Sequence, residues 1–250
     1  MPGHRPLYLD VLITSCKGLS YFCAFLHYAL VKAGFCQAPV YIQKIIAKKI
    51  KILRSVWFAR LLRRSTSILV RTPLRESVLK LINVNLPISR EIGAIIVICH
   101  TPWKRILVQW CLRENFALVI GSGKWKDSKR QIQRQAKGMR EIRELVCHLR
   151  SKGRVIVSAD VFNNLHNCPV RFLGQPCNAS LFIEKLAMLA QVPILVIIPT
   201  LSEKSITFIA GPSFSTHALQ MKTGIITRQI LSFFEKEIKN NPAILSDYVK

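Results

Sequence analysis

The chain has 250 residues, half of them hydrophobic and a fifth charged, which excludes a disordered or low-complexity protein and leaves room for a sizeable core. Thirty-seven Lys and Arg face thirteen Asp and Glu, a net charge of +24, so an anionic partner is expected: nucleic acid, a phospholipid surface or an acidic lipid. The eight Cys stand singly, without CxxC pairs or zinc-like His/Cys spacing, which argues for a reducing compartment with no disulfide framework and no structural metal.

Leu7 to Phe35 is apolar and aromatic but carries Asp10, Lys17, His27 and Lys32. Its longest uncharged stretch, Gly18 to Val31, falls short of the roughly 20 residues a membrane span requires. A signal peptide is poorly formed, with Asp10 early and no clear small-residue cleavage site. Two readings stand. One is an amphipathic helix in a membrane interface, with Tyr21, Phe22, Phe25 and Tyr28 toward lipid and Lys17 and Lys32 toward headgroups. The other is an ordinary core helix.

Between residues 36 and 92 the chain turns basic, from Lys44 through Arg75, and interleaves those cations with Ile45, Ile46, Trp57, Phe58, Leu61 and Leu62. Apolar residues at helical intervals beside a cationic face describe a surface helix suited to an anionic membrane, or else a solvated basic face. No zinc-finger spacing, RNP-like aromatic motif or clear helix-turn-helix pattern supports a nucleic-acid reader. Leu74 to Leu86 reads as a further helix, ended by Pro87.

The centre alternates strand and helix. Ala94 to Cys99 is an apolar run of the kind buried on both faces of a sheet, and it delivers His100 to a strand end. Lys104 to Glu114 is a helix, and Phe116 to Ile120 a second strand ending in Gly121-Ser122-Gly123. That Gly-x-Gly lacks the third glycine of a dinucleotide fingerprint, because position 126 is Lys. Lys124 to Arg150 is one long amphipathic helix or a loop followed by one, stopped by Ser151-Lys152-Gly153. Arg154 to Ala159 is a third strand, ending at Asp160. A short strand and turn at Val170 to Gly174, a helix at Ala179 to Ala190 and a strand at Val192 to Ile198 follow. Ser205 to Ala210 is a strand, Gly211-Pro212 a break, and Thr223 to Lys239 an amphipathic helix.

This pattern predicts an α/β fold with a mainly parallel central sheet flanked by helices. An N-terminal hydrophobic and basic helical region at 1–90, expected to associate with a membrane, precedes a core at 91–250 that reads as one continuous domain. Open α/β sheets place ligands at the carboxyl ends of their strands, so His100 and Asp160 are expected to face one crevice.

The order of these pieces resembles the lysophospholipid acyltransferase superfamily, and more narrowly its lipid A late-acyltransferase branch. The resemblance rests on Cys99-His100 with Trp103, Leu149 to Gly153, Val157 to Asp160, Val170 to Pro176, Leu186 to Ile194, and the closing Glu235, Ile238, Asn241-Pro242 and Tyr248. It covers roughly residues 90 to 250. It implies an acyltransferase-like core in which a His, paired with an acid at fixed spacing, takes the proton from an acceptor hydroxyl that attacks an acyl thioester. It also implies that the Arg171 to Gly174 turn and Trp103 face substrate.

The sequence departs from that pattern where the acid should stand: His100-Thr101-Pro102-Trp103-Lys104-Arg105 offers two cations and no carboxylate. Three readings are open. His100 acts without an acid, Asp160 supplies the carboxylate from the neighbouring strand end, or catalysis is lost and lipid binding kept. Asp160 is equally readable as a structural cap, Arg171 as a surface salt-bridge partner, and Lys104 or Arg105 as a grip on a substrate phosphate. His166 and Cys168 lack a third metal ligand, and Cys177 lacks an identifiable base.

The expected activity is transfer of a fatty acyl chain from an acyl carrier protein or CoA thioester to a hydroxyl of a glycolipid or lysophospholipid. It needs no metal and no resident cofactor. The partners are anionic membrane lipid and the thioester donor, and the expected place is the cytoplasmic face of the inner (plasma) membrane. The rivals are a lipid-binding relative without catalysis and, on charge alone, a nucleic-acid-binding protein.

Overall fold

A computed structural model describes residues 11, 14–24, 57–58, 61, 64–65, 92–101, 103–113, 118–121, 131–133, 139–162, 168–201, 206–216 and 223–241. The expected helix at Leu74 to Leu86 and most of the basic segment before it lie outside the described residues.

The core begins with β1 (Ala94–Ile98), α1 (Lys104–Arg113), β2 (Leu118–Gly121), β3 (Gln131–Gln133), α2 (Met139–Arg150) and β4 (Arg154–Ser158). It continues with β5 (Cys168–Phe172), β6 (Gln175–Ala179), α3 (Phe182–Ala190), β7 (Ile194–Leu201), β8 (Ile206–Phe214) and α4 (Ile225–Asn240). Six strands form one sheet in the order β3-β2-β4-β1-β7-β8, and β5 and β6 form a separate antiparallel hairpin. All neighbours in the large sheet run parallel except β7 and β8. The mainly parallel α/β architecture read from the sequence is therefore the one observed.

The apolar runs explain the layering. All five residues of β1 and all five of β4 are buried, as strands covered on both faces must be. Alternate side chains take opposite faces. Ile95, Val97, Val155 and Val157 face a layer containing Leu145 and Leu149 of α2, Ile183, Leu186 and Ala187 of α3, and Ile230 and Phe234 of α4. Ile96, Ile98, Ile156 and Ile197 face Leu107, Val108 and Cys111 of α1. Helices cover both faces, with α1 alone, among the described helices, in its cluster.

Two helices are stopped by residues other than glycine. Lys152 and Gln191 adopt the left-handed conformation at φ 64° and 56°. The next N–H groups, those of Gly153 and Val192, reach back to the carbonyls of His148 and Ala187 at 2.9 and 3.3 Å. These are Schellman-type ends, and each non-glycine residue costs on the order of 1 kcal/mol in that conformation. Gly153 thus is not the left-handed residue. It is small because a Cβ there would stand 2.3 Å from the His148 carbonyl oxygen.

Three sequence expectations need correction. Of the two readings of 124–150, the single long helix is overturned: β3 pairs with β2 at Gln131 to Gln133, and the helix spans Met139–Arg150. Gly211-Pro212 does not break the last strand, because β8 runs on to Phe214. The register shifts between Leu195 and Ile197, so Gly211 and Pro212 fall in a bulge, where a strand tolerates proline. The expected helix at Ala179 starts at Phe182 instead, since Ala179 pairs with Cys168 in the hairpin.

Glu184 of α3 holds the last helix in place. It is 4% exposed, and its carboxylate accepts the Gly224 N–H at 2.7 Å and the Thr227 N–H at the start of α4. A carboxylate at a helix N-terminus satisfies orphan donors and complements the helix dipole. Glu184→Ala leaves two buried N–H groups unpaired and is expected to cost about 3 kcal/mol, with Glu184→Gln costing less because it keeps an acceptor. Urea unfolding measures both, and a loss below about 1 kcal/mol for the alanine variant would rule out this role.

Candidate active site

The register of β1 against β4 builds the site. Ala94 pairs with Arg154 and Ile98 with Ser158, a constant offset carried through every partner between them. The ladder runs one step further, with the Ala159 N–H donating to the Ile98 carbonyl at 3.1 Å. Continued to the next pair, the same offset sets His100 beside Asp160. Both leave the carboxyl ends of adjacent parallel strands. From β1 the chain departs to α1 on one face, and from β4 to the hairpin and α3 on the other. That divergence is the switch point at which open α/β sheets form their crevices.

Asp160 grips the histidine twice. Its Oδ2 accepts the His100 backbone N–H at 2.6 Å, and its Oδ1 stands 2.7 Å from the ring Nδ1. A carboxylate only accepts, so Nδ1 carries the ring proton and Nε2 the lone pair. The two bonds fix the backbone and the imidazole plane of one residue with one side chain. The Asp160 side chain is fully buried, whereas that of His100 is 26% exposed. The acid is hidden and the ring is partly exposed, a division suited to a positioned base.

Lys104 completes a chain of three. It sits in the first turn of α1, four residues beyond His100, and its Nζ stands 2.6 Å from Nε2. An ammonium only donates, so it hydrogen-bonds the lone pair that the Asp160 contact leaves on Nε2. The turn is set by the Lys104 N–H donating to the Thr101 carbonyl at 3.2 Å and the Leu107 N–H to the Trp103 carbonyl at 3.0 Å. No acid lies in the first turn of α1, so no helical carboxylate replaces the one the resemblance leads one to expect.

The remaining sequence candidates are placed as follows. Trp103 is buried, only 5% exposed, beneath the start of α1. Arg105 belongs to α1, and its side chain lies outside the described residues. Arg171 pairs with Pro176 across the hairpin and is exposed, and Gly174 lies in the exposed turn at φ 78°. The hairpin is tied to the site by Phe162, two residues past Asp160, whose ring packs on Phe172 at a centroid distance of 5.3 Å. The chain His100, Asp160 and Lys104 is thus assembled, while Arg171 and Gly174 are exposed on the hairpin.

Cys99 and Cys177 are poor nucleophiles. Burial holds the Cys99 thiol well above its ordinary range, and the nearby Asp160 charge adds to this. Burial also raises Cys177, whose thiol rests 3.7 Å from the Val170 carbonyl oxygen. Among the described residues no group of three or more His, Cys, Asp and Glu could hold a metal ion. His166 lies outside them.

The sequence named all three members of the chain but missed two contacts. The Lys104 to Nε2 bond was signalled by the four-residue spacing at a helix start. The grip of Asp160 on the His100 backbone follows from the strand register, which the sequence does not display.

No family model matches the chain, and no curated protein matches it.

The assigned tautomer is measurable. A ¹⁵N-resolved spectrum of His100 is expected to show an exchange-protected downfield proton on Nδ1, lost in Asp160→Asn. A proton found on Nε2 in the neutral ring would contradict the assignment.

Proposed function

We propose that the protein is an acyltransferase working at a membrane surface, moving a fatty acyl chain from an acyl carrier protein or CoA thioester to a hydroxyl of a glycolipid or lysophospholipid. The observation that carries this reading is the Asp160–His100 pair at the carboxyl ends of β1 and β4. The reaction class comes from the order of sequence motifs that resembles the lysophospholipid acyltransferases, and the Asp160 carboxylate 2.7 Å from Nδ1 supports it by offering an acid where α1 has none. A carboxylate from β4 does the work of one from the helix.

In this reading Nε2 takes the proton of the acceptor hydroxyl as its oxygen attacks the thioester carbonyl carbon. Asp160 holds the ring and stabilises the imidazolium that forms. When the carbon–sulfur bond breaks, the proton passes from Nε2 to the departing thiolate. Before this, Lys104 must leave Nε2. That contact is also what favours the second reading, a lipid-binding relative with an obstructed base.

The membrane part is supported by residues 14–24, which are helical. Cys16, Ser20 and Ala24 are buried at four-residue spacing, while Leu19, Tyr21 and Phe22 are 50%, 58% and 63% exposed. A core helix buries its large side chains. This one buries its small ones and leaves an aromatic face, beside exposed Lys17, for an interface of lipid chains and anionic headgroups. Phe25, Tyr28 and Lys32 lie outside the described residues. Among the described residues no helix is long and apolar enough to cross a membrane. The charge excess of +24 suits both anionic lipid and an acidic carrier protein.

The direct test offers labelled acyl-CoA and acyl carrier protein with a panel of lysophospholipid and glycolipid acceptors. Wild type is expected to transfer label, His100→Ala to fall to background, and Asp160→Asn to lose at least about 100-fold. Absence of transfer from both donors defeats the enzyme reading, and an unchanged Asp160→Asn rate defeats the pair. Separately, Phe22→Asp is expected to weaken sedimentation with anionic vesicles at least about tenfold. Salt-sensitive binding to oligonucleotide, with none to vesicles, would favour nucleic acid instead.

A further inference from the structure

The nitrogen the reaction requires is already engaged. Nδ1 is committed to Asp160 Oδ1 at 2.7 Å, and Lys104 Nζ stands 2.6 Å from Nε2. A neutral imidazole has one in-plane lone pair, so it cannot accept from the ammonium and from a substrate hydroxyl at once. The proton arrangement that satisfies all three groups has an ionised Asp160, a neutral ring and a charged Lys104. In that arrangement the base is closed.

The closure is built into the turn. Lys104 follows His100 by four residues, its N–H is fixed to the Thr101 carbonyl at 3.2 Å, and the adjoining Trp103 is 5% exposed. The helix start therefore carries the ammonium to the ring. Opening it takes a group that binds an ammonium better than an imidazole lone pair does. A neutral hydroxyl does not meet that requirement, because it is a weaker acceptor and would have to displace a charge-assisted bond. An anionic oxygen does. The first turn of α1 has no acid, and its ten residues direct the positive end of the helix dipole toward this place. Arg105 follows next in sequence.

We propose that Lys104 is a positioning residue that keeps His100 closed, and that a phosphate-bearing ligand opens the base by drawing the Lys104 ammonium from Nε2. The proposal rests on the acyl-transfer reading only for the identity of the hydroxyl that then meets the ring. Opening moves no proton. Lys104 keeps its three, and the ring stays neutral until the hydroxyl arrives. A substrate carrying both phosphate and hydroxyl would thereby release the base in the act of binding. An acceptor without phosphate would meet it closed. The shared chemistry is a phosphate ester, carried by a lipid headgroup or by a soluble molecule.

The test uses the full chain and needs no turnover. Diethyl pyrocarbonate acylates a neutral imidazole at its free lone pair, and peptide mass spectrometry reads His100 against His148, whose Nε2 contacts the Arg154 carbonyl oxygen at 3.0 Å. In phosphate-free buffer, wild-type His100 is expected to react slowly and Lys104→Met at least about tenfold faster. Inorganic phosphate, or vesicles of phosphatidylcholine with phosphatidic acid, is expected to accelerate wild type toward the variant and leave the variant unchanged. Acceleration by phosphate in solution assigns the site to a soluble ester. Acceleration by the phosphatidic acid vesicles, with none by inorganic phosphate or by phosphatidylcholine alone, assigns it to a headgroup.

Wild-type His100 reacting as fast as Lys104→Met overturns the proposal, and so does a slow wild type that neither probe accelerates. Should the variant not fold, the ¹⁵N signal of Nε2 in wild type gives the same answer: a change on adding either probe supports opening, and no change with both refutes it. The two readings fail separately. Opening without any acyl transfer leaves the closed base standing and removes the enzyme, whereas transfer with a His100 indifferent to phosphate removes the closure alone.

Discussion

The structure depends on the parallel pairing of β1 with β4. These two strands lie at the centre of the sheet and are buried throughout. Their apolar side chains join both hydrophobic layers. Burial on two faces specifies register strongly, since a slip of one residue would send every side chain to the wrong layer. The same register decides which polar residues meet past the strand ends. His100 and Asp160 come together because the register that packs both layers carries the two residues past the strand ends at the same offset. Core packing and site geometry are here one constraint.

In the acyl-transfer reading proposed above, that constraint also supplies the acid that the segment after His100 lacks. A catalytic histidine needs a carboxylate to set its tautomer and bear its transient charge, but the carboxylate need not come from the following helix. With Asp160 supplied across the sheet, position 104 is released to a different residue type. A lysine there then acts on the opposite ring nitrogen. The result is a histidine with an anion on one ring nitrogen and a cation on the other.

Much of this was legible in the sequence, for identifiable reasons. Ala94 to Cys99 and Arg154 to Ala159 are apolar without interruption, and such runs read as buried strands whatever surrounds them. The three-residue β3 was not legible, because Gln131 to Gln133 sits among Lys, Arg and Gln whose spacing suits a helix equally well. Gly211-Pro212 reads as a break only until the bulge opposite Val196 is known, and a bulge is a property of two strands. Glu184 carried a signal that went unused: an acid on the apolar stripe of Ile183, Leu186 and Ala187 must have a buried partner. The pairing of His100 with Asp160 stood as one reading among three. Strand ends are visible in one sequence, but the offset between strands is not.

The central claim is that His100 and Asp160 act as one catalytic unit. A double-mutant cycle on acyl-transfer rate tests it most directly, comparing His100→Ala, Asp160→Asn and the two combined. The account predicts strong non-additivity, with the double variant no slower than His100→Ala alone, because a carboxylate that works through the ring has nothing left to orient. Multiplicative losses would contradict it and show that Asp160 contributes independently of His100.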